Sequence, residues 1–559
     1  MRRPVRLGTR ASALALAQAQ LVAERLEGMG HATELVRVTT EGDRRQPDTA
    51  WGEGAFVAAI ERALVDGRVD AAIHSAKDIP TTEDVRLAIG AYLARDDPRD
   101  ALVVRRCLGA ESLAELPRRA RVGTDSPRRA GFLLAQRPDL QLHPLNGNVD
   151  TRLRRLDAGE SDALVLAVAG LSRLGRADRI AQVLAPRLVP PAPGQGAIAV
   201  QVRSDDARTS ELVGALDDRP TRFAVEVERA FLAASGGGCR SPVGALGAVA
   251  GEELTLLGGY AAPDGRFAVV DGVMGHVEDG ARLVVELLLR LGERGASVDG
   301  LRQVGERRPR VLVTRAREQA GPLVLALARR GFAPVLVPTI AIAAARERSA
   351  LEEAAARLDR YAWVIVTSAN GAQALVSAAR SVGASLAVPR WAAVGSATAR
   401  VLERHGVAVT VVPSRFSAAS LAGEIPIGEG ERVLLARADI APDTLPRLLR
   451  ASGATVDEVV AYRTLEAPVE SARLLDSALA GPPIDAVVFT SGSTVRGLAS
   501  LARPDRLQAL RGIPAVCIGP ESAREAAGHG FLVLAQPAKQ EADAQADAVA
   551  QVLSREERG

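Results

Sequence analysis

The stretch RVGTDSPRRAGFL, residues 121–133, contains the pattern that decides the fold class of this chain. A short strand ends at Gly123, and a polar turn then leads into a helix that starts after Ser126. Ser126 suits the N-cap position, and Pro127 suits the first helical position, where its missing N–H costs nothing. Apolar β-branched runs alternate with helical patterns in this way through most of the 559 residues. The alternation predicts an α/β fold with mainly parallel sheets.

Turn residues divide the rest of the chain into similar units. In the first 300 residues, a helix is predicted after Ser12, and further strands are predicted at residues 5–8, 34–40, 70–74, 86–94, 100–105, 141–145, 162–168 and 196–202. The main domain boundary is expected near residues 300–308, because GERRP precedes a fresh strand at residues 310–314.

The sequence beyond this boundary repeats itself weakly. VIVTSAN (residues 364–370) is echoed by VVFTSGS (residues 487–493), and VGSAT (residues 394–398) is echoed by IGPES (residues 518–522). The repetition predicts two similar α/β lobes, each built from strands, small polar turns and helices.

The bulk composition narrows the class of protein. Cys107, Cys239 and Cys517 lack metal or redox spacing and fit a reducing compartment. A net charge of +3 and only 3% aromatic residues argue against nucleic-acid binding. The first residues lead straight into a strand, no apolar run reaches membrane-spanning length, and no phosphate-loop motif is present. We expect a cytoplasmic protein without a membrane span or a metal site.

Cys239 lies at the end of a glycine run in GGGCRSPVG, residues 236–244. Three glycines remove side-chain bulk and permit positive φ, so the thiol can approach a large group without collision. The pattern makes Cys239 a candidate nucleophile or attachment point. A buried, inert cysteine in a tight turn is the alternative interpretation.

Basic residues follow a second pattern. Of the 70 lysines and arginines, only Lys77 and Lys539 are lysines, and Lys77 precedes Asp78 in HSAKDIP, residues 74–80. Small polar or arginine-rich turns follow predicted strands at residues 8–12, 123–129 and 146–152. Helix N-termini and arginine forks bind anions. An isolated arginine pair is more often part of a solvated basic face, but three such turns at strand ends favour a ligand site.

These segments, with the PGQGA turn at residues 193–197, resemble porphobilinogen deaminase, also called hydroxymethylbilane synthase, in order and spacing over residues 1–300. The resemblance implies two α/β lobes similar to periplasmic binding proteins and a small α+β domain. Lobe 1 would span about 1–95 and 196–215, lobe 2 about 96–195, and the cofactor-carrying domain about 216–300. A dipyrromethane cofactor would be thioether-linked to Cys239, and four porphobilinogens would be added to it with loss of ammonia.

The resemblance also implies roles for individual residues. Asp78 would be the catalytic carboxylate, which binds pyrrole N–H groups and stabilises the cation left when ammonia departs. The acid-rich oligomer would need many fixed cations and hydroxyl donors. Cofactor binding is expected of Cys239, Lys77, Ser12, Ser126, Arg128 and Arg129, and substrate binding of Arg10, Thr124, Arg152 and Gln195.

The first half departs from the family pattern at several positions. Asn146 stands where an arginine is usual, Asp125 replaces a small hydroxyl residue, and Pro127 replaces an aliphatic one. The loop at residues 42–54, which contains Glu53, lacks its usual lysine. One carboxylate-binding cation is therefore expected to be missing or supplied from elsewhere.

Residues 309–559 resemble uroporphyrinogen-III synthase, which cyclises hydroxymethylbilane with inversion of the last ring. The resemblance rests on TSAN (367–370), VGSATA (394–399), AYRT (461–464), TSGS (490–493) and IGP (518–520). It implies two similar α/β lobes joined by two strands, after a linker at residues 301–308. Lobe A would span about 309–340 and 466–559, and lobe B about 343–463.

Tyr462 matches the residue expected to protonate the departing hydroxyl, although a packed tyrosine at a strand end is an equal alternative. Glu521 places a negative charge where an anionic substrate should lie. Backbone amides and hydroxyls would bind the substrate carboxylates at Thr367, Ser368, Ser396, Thr490, Ser491 and Ser522.

The two resemblances together imply a bifunctional enzyme of tetrapyrrole biosynthesis, monomeric and acting on small-molecule substrates. The competing class is a two-lobed binding or sensory protein for small anions. Such a receptor would need neither Asp78 nor a group on Cys239, so the intact mass of the protein distinguishes the two classes.

Overall fold

The computed structural model describes residues 3–38, 57–81, 84–238, 240–296, 308–413, 418–537, 539 and 541–556. Strands in these residues form five sheets, and helices accompany them in both halves of the chain, which confirms the α/β class. The chain divides into two compact units. Unit 1 comprises Met1–Val337, Arg473–Val495 and Ala502–Gly559, and unit 2 comprises Pro338–Ala472 and Arg496–Leu501.

The first half contains short strands and helices in alternation. Its described strands are β1 (Val5–Thr9), β2 (Thr33–Arg37), β3 (Ala71–Ser75), β4 (Leu87–Tyr92), β5 (Asp100–Val104), β6 (Arg121–Gly123), β7 (Gln141–His143), β8 (Ala163–Ala167), β9 (Gln182–Val183), β10 (Ile198–Arg203), β11 (Val243–Ala250), β12 (Glu253–Ala261) and β13 (Ala268–His276). Its described helices are α1 (Ala13–Gly28), α2 (Ala58–Val65), α3 (Pro127–Gln136), α4 (Val149–Asp157), α5 (Val168–Arg173), α6 (Ala207–Gly214), α7 (Arg219–Ala234) and α8 (Gly280–Glu293).

The sheets of the first half are mixed rather than mainly parallel. The order of the first sheet is β2-β1-β3-β10-β4, in which β10 runs antiparallel to β3 and β4. The order of the second is β7-β6-β8-β5-β9, in which β5 runs antiparallel to β8 and β9. The expectation of mainly parallel sheets was wrong here, because the chain leaves the first sheet after β4 and returns to it as β10. The third sheet, β11-β12-β13, is antiparallel and packs against α7 and α8.

The second half continues the alternation. Its described strands are β14 (Arg310–Val313), β15 (Ala333–Leu336), β16 (Ile340–Ala344), β17 (Trp363–Val366), β18 (Arg390–Ala393), β19 (Val409–Val411), β20 (Arg432–Ala438), β21 (Thr455–Glu466), β22 (Ala486–Phe489), β23 (Pro514–Cys517) and β24 (Leu532–Ala535). Its described helices are α9 (Gly321–Arg329), α10 (Arg348–Ala356), α11 (Ala369–Ser381), α12 (Ser396–Arg404), α13 (Ala418–Glu424), α14 (Thr444–Ala451), α15 (Val469–Ala480), α16 (Gly492–Leu501), α17 (Pro504–Arg511), α18 (Pro520–Gly528) and α19 (Ala542–Glu556).

Each unit contains one sheet from the second half. In unit 1 the order is β15-β14-β22-β23-β24, and all its neighbours are parallel. In unit 2 the order is β16-β21-β20-β17-β18-β19, and only the pairing of β16 with β21 is antiparallel among the described strands. The repeated TSAN and TSGS segments connect β17 to α11 and β22 to α16. The predicted repeat of strand, polar turn and helix is therefore present.

Apolar burial follows these sheets. The first sheet and the second sheet each have their own buried clusters. A further cluster extends without interruption from the third sheet and its helices to β14, α9 and α19. No helix in the described part of the chain is both long and apolar enough to cross a bilayer.

Candidate functional site

The HSAKDIP segment passes from β3 into a short 3-10 turn, Ala76–Asp78. Gly194 lies directly against this turn with a φ of +77°. A Cβ on Gly194 would lie 3.0 Å from the carbonyl carbon of Ala76 and 3.0 Å from the backbone nitrogen of Lys77. Glycine is therefore required for both conformation and space, and it brings the PGQGA turn against the backbone that carries Lys77 and Asp78.

Gln195, the next residue, connects Lys77 to a buried ion cluster. Its Oε1 accepts a hydrogen bond of 3.2 Å from Lys77 Nζ, and its Nε2 donates to Asp100 Oδ1 at 2.9 Å. Asp100 is fully buried and accepts from Arg128 at 2.8 Å and from Arg129 at 2.7 Å. The structure thus brings together four of the predicted residues, Lys77, Gln195, Arg128 and Arg129, around Asp100.

The electrostatics of this cluster favour a negatively charged ligand. Burial raises the pKa of Asp100, but Arg128 and Arg129 outweigh burial and hold that pKa well below its ordinary value. Loss of contact with water and the nearby Arg129 guanidinium lower the pKa of Lys77 to about 8, although Asp78 and Asp100 act in the opposite direction. Because a carboxylate beside Lys77 would relieve this repulsion, the cluster is suited to an acidic group.

The predicted hydroxyl ligands lie at helix N-termini. Ser126 caps α3 and accepts from the Arg129 backbone N–H at 3.3 Å, so its predicted N-cap role is confirmed. Ser12 caps α1 in the same way, accepting from Ala15 at 3.3 Å. Thr124 is buried in the turn before α3 and accepts from the Ser126 N–H at 3.2 Å. A hydroxyl that accepts a capping bond retains its own proton, which it can donate to a carboxylate.

Arg152 is held in part by Asp125, one of the residues that depart from the family pattern. Its guanidinium donates to Asp125 Oδ2 at 3.1 Å and to the Gly147 carbonyl at 2.8 Å. Burial lowers the pKa of Arg152, and Asp125 partly offsets that effect. Asn146 is buried, and its carbonyl accepts from Arg155 at 3.2 Å. Asp125 therefore supplies an internal counter-ion to one of the predicted substrate-binding arginines.

Cys239 and Glu53 lie outside the described residues, while Arg10 is partly buried immediately after β1. Near Cys239, α7 ends at Ala234 and the Gly238 N–H donates to Ser241 Oγ at 2.7 Å. The other cysteines differ in environment. Cys107 is exposed, whereas burial raises the pKa of Cys517 to about 12, which makes that thiol a poor nucleophile.

Sequence reasoning missed Asp100 and two residues of α7. Glu228 is fully buried and accepts from Arg95 at 2.5 Å and from the Gly194 N–H at 2.6 Å. Arg229 donates to the carbonyls of Ile79 at 2.9 Å and Pro80 at 2.8 Å. Helix α7 thus anchors both turns that form the site. An acidic residue at the start of the otherwise apolar strand DALVV was the available signal for Asp100.

In unit 2, the structure brings two predicted residues together. Ser368 caps α11, accepting from Gly371 at 3.1 Å, and its side chain lies close to that of Tyr462 on β21. Burial raises the pKa of Tyr462, the nearby Ser368 hydroxyl opposes that shift, and Asp439 adds to it. Tyr462 is therefore a neutral proton donor near neutral pH. Thr367 precedes Ser368 and is partly buried, and Ser396 is exposed at the start of α12.

In unit 1, the remaining predicted hydroxyls lie at strand ends. Ser491 and Thr490 follow β22, and the Thr494 N–H donates to Ser491 Oγ at 3.3 Å. Ser522 is buried, and its hydroxyl donates to the Gly519 carbonyl oxygen at 2.9 Å. Its proton is therefore already engaged in a hydrogen bond within the same turn. Glu521 beside it is exposed.

Arg315 follows β14, the strand paired with β22, and was not predicted as a site residue. Its side chain contacts Gln319 at 3.4 Å, and no carboxylate in the described ranges pairs with it. Burial lowers the pKa of Arg315. A largely buried guanidinium without an acidic partner at a strand end is a candidate anion ligand.

Three segments of the chain match known protein families. Residues 5–211 match the porphobilinogen deaminase, dipyrromethane cofactor binding domain, residues 222–292 match the porphobilinogen deaminase C-terminal domain, and residues 322–547 match uroporphyrinogen-III synthase. The porphobilinogen deaminase of Mycolicibacterium paratuberculosis is 45% identical over 302 residues, which are 52% of this chain and 95% of that protein. That of Mycobacterium marinum is 45% identical over 303 residues, 52% of this chain and 96% of that protein.

Similar solved structures include the Thermus thermophilus uroporphyrinogen III synthase, 22% identical, with a TM-score of 0.26 and coverage of 44% of this chain and 99% of that one. They also include a periplasmic substrate-binding protein of an ABC transporter from Coxiella burnetii. It is 16% identical, with a TM-score of 0.26 and coverage of 39% of this chain and 93% of that one.

Proposed function

Because this chain belongs to the porphobilinogen deaminase family and also carries a uroporphyrinogen-III synthase region, we propose that the residues described above perform two successive reactions of tetrapyrrole biosynthesis. The first half joins four porphobilinogens with loss of ammonia to give hydroxymethylbilane. The second half cyclises that product, with inversion of the last ring, to uroporphyrinogen III. The observation that carries the assignment of residues is the cluster of Lys77, Gln195, Asp100 and Arg129 beside Asp78.

In the first half, the cationic cluster binds the acetate and propionate groups of the substrate. Asp100 fixes the guanidinium planes of Arg128 and Arg129, so that these side chains do not have to be ordered when the ligand arrives. Gln195 holds the Lys77 ammonium beside them. Further donors at the strand ends come from Arg10, Thr124, Ser12 and Ser126. Arg152, whose charge is partly neutralised, makes a weaker contact with the substrate.

Asp78 performs the chemical role in this site. Its carboxylate accepts hydrogen bonds from pyrrole N–H groups and stabilises the positive charge that develops on porphobilinogen as ammonia departs. The same carboxylate then receives the proton that the ring must lose after the new carbon–carbon bond has formed. Lys77 keeps a carboxylate of the substrate fixed while this charge develops.

The chain carries the domain that binds dipyrromethane, and the donors of the cluster fit that group. Lys77 and Arg129 repel each other in the absence of a ligand, so an acidic group between them is favoured. Lys77, Ser12, Ser126, Arg128 and Arg129 would hold its carboxylates, and Cys239 would form the thioether. When bound, the cofactor supplies the pyrrole ring to which the first substrate unit is joined.

In the second half, Tyr462 donates its phenolic proton to the departing hydroxyl group of hydroxymethylbilane. Ser368 orients the phenol, and the raised pKa of Tyr462 keeps it protonated until the substrate is bound. Thr367, Ser396, Thr490, Ser491 and Ser522 present neutral donors to the substrate carboxylates, with Ser522 acting through the backbone of its turn. In unit 1, Arg315 is a further cation after β14 that the sequence did not suggest.

Each half of the enzyme is divided into lobes or domains. Lobes 1 and 2 of the first half, about 1–95 with 196–215 and about 96–195, correspond to the first two sheets, and the cofactor-carrying domain, about 216–300, to the third. Lobe A (309–340 and 466–559) and lobe B (343–463) follow the linker at residues 301–308. The enzyme acts as a cytoplasmic monomer, and its low cysteine content fits the reducing environment of that compartment.

Intact mass spectrometry tests the proposal against the receptor alternative. Protein from a host that makes haem precursors should exceed the 58.5 kDa sequence mass by two linked pyrrole units. A Cys239→Ser variant should have its sequence mass and no deaminase activity. An unmodified wild-type chain that is inert toward porphobilinogen would instead favour an anion receptor.

A further inference from the structure

Helix α8 of the cofactor-carrying domain is apolar on two opposite sides. Leu283 and Leu287, four residues apart, face the third sheet, since they lie against Gly275 and Gly258 respectively. Val285 and Leu289, also four residues apart, occupy the opposite side and are almost completely buried. A helix that is apolar on two opposite sides must be covered on both, and the third sheet covers only one of these sides of α8.

The second side of α8 is covered by the second half of the chain. Helix α9 packs against both α8 and α7, and the buried cluster of the third sheet continues through these helices into β14, α9 and α19. Gly321, the first residue of α9, approaches so closely that a Cβ there would lie 2.7 Å from the Ala281 carbonyl oxygen. Toward the other end of α8, Gly292 lies against Leu474.

One ion pair flanks this packed face. Arg317 lies in the turn before α9 and contacts Glu293, the last residue of α8, at 2.7 Å. Both side chains remain partly exposed, so this pair contributes orientation more than stability. Apolar burial at the centre and a polar rim are the features of a lasting protein interface.

We propose that α7 and α8 form a permanent docking surface for the synthase-like half, so that packing rather than the linker holds the two halves of the chain together. The occupant is the α9 face, defined by the 3-10 turn Arg317–Gln319, by Gly321–Arg329 and by Leu474. Helix α7 also anchors the catalytic turn through Glu228 and Arg229. The docked half therefore stabilises the deaminase site through α7. The cofactor-carrying domain therefore has a fixed partner on this face.

Cleavage of the linker in the folded protein tests this docking directly. A protease recognition sequence is inserted between residues 301 and 307, the full-length protein is cut, and its mass in solution is measured over a dilution series. The cut wild-type protein should remain a single particle of 58.5 kDa at micromolar concentration. Elution of two particles of roughly half that mass would overturn the proposal.

Two glycine variants identify the contact. Gly321→Gln should raise the dissociation constant of the cut halves at least about tenfold, because the side chain has no space beside Ala281. Gly528→Gln is the matched control, since a Cβ at this helical glycine meets no atom within 4 Å. Equal dissociation of the two variants would contradict the assigned surface.

A charge exchange tests the same contact if Gly321→Gln fails to fold. Arg317→Glu should raise the dissociation constant several-fold by placing like charges together, and the double variant Arg317→Glu with Glu293→Arg should restore it. A general folding defect would not be rescued in this way. Failure of the double variant to restore binding would place the contact elsewhere.

Discussion

We propose that the two candidate sites of this chain recognise carboxylates by different physical means. In the first half, Lys77, Arg128 and Arg129 gather around the buried carboxylate of Asp100. In unit 2 of the second half, Ser368 and Tyr462 lie side by side and neither carries a charge. Both sites lie at strand ends of α/β sheets, so the fold alone does not set the chemistry.

The difference follows from the work each site performs. The first site must hold a polyanion through four additions, and cations fixed in advance by an internal counter-ion keep their geometry as the ligand grows. The second site acts once on a finished chain, where orientation and a single proton donor are sufficient. A fixed counter-ion is costly to disturb, whereas a neutral donor can be removed at small cost to the fold.

Replacement of Asp78 should have the largest effect and should be confined to the first reaction. Asp78→Asn keeps the shape but removes the charge that stabilises the developing cation, so hydroxymethylbilane formation should fall about 10³- to 10⁴-fold. Cyclisation of added hydroxymethylbilane should continue at the wild-type rate. Loss of both activities would show that the two sites are not separate.

Replacement of Asp100 should mainly reduce stability. Asp100→Ala leaves two buried guanidinium groups without their counter-ion, which should cost about 3–5 kcal/mol in the free energy of unfolding measured with urea. Asp100→Asn, which retains hydrogen-bond acceptance at one oxygen, should lose less. A wild-type unfolding midpoint in Asp100→Ala would mean that this carboxylate does not organise the arginines.

Replacement of Tyr462 or Ser368 should have a smaller effect, and this effect should be confined to the cyclisation reaction. Tyr462→Phe should slow cyclisation to uroporphyrinogen III about 10²-fold with no change in hydroxymethylbilane formation. Ser368→Ala removes the hydroxyl beside Tyr462 together with the N-cap of α11, and should slow cyclisation a few-fold. If Tyr462→Phe cyclises at the wild-type rate, Tyr462 is a packing residue and the alternative interpretation holds.

The smallest expected effect is a pH dependence of cofactor binding. It arises from the ammonium group of Lys77, because the guanidinium groups of the cluster stay charged. With a pKa of about 8, Lys77 is roughly 90% charged at pH 7 and roughly 10% at pH 9. Carboxylate binding by Lys77 is therefore lost as the pH rises through about 8. The rate of cofactor attachment to the apoprotein, divided by that of Lys77→Arg, should fall up to about tenfold between pH 7 and pH 9. A constant ratio would mean that Lys77 does not bind the carboxylates of the cofactor.

The sequence predicted the local features of this molecule well because those features depend on neighbouring residues. The helix start at Ser126 and the strand-to-helix turns of the repeat are examples. Asp100 was missed as a site residue because its partners lie in other segments of the chain. The pairing of Asp125 with Arg152 was missed for the same reason.

The contact between the halves was also beyond sequence reasoning. Val285 and Leu289 would have indicated a second buried side of α8, but periodicity alone does not identify what covers it. The prediction of parallel sheets failed where the chain returns to its first sheet as β10. The local sequence pattern of a strand does not specify whether a distant strand pairs with it in the parallel or the antiparallel direction.

The product formed from porphobilinogen by the purified chain alone tests the central claim most directly. The isomers of uroporphyrinogen are separated and counted after incubation of the wild-type protein with porphobilinogen and no other enzyme. Two linked activities in one chain predict mainly the type III isomer, with Tyr462→Phe shifting the product toward type I. Type I isomer alone from the wild-type protein, or no tetrapyrrole, would contradict the account.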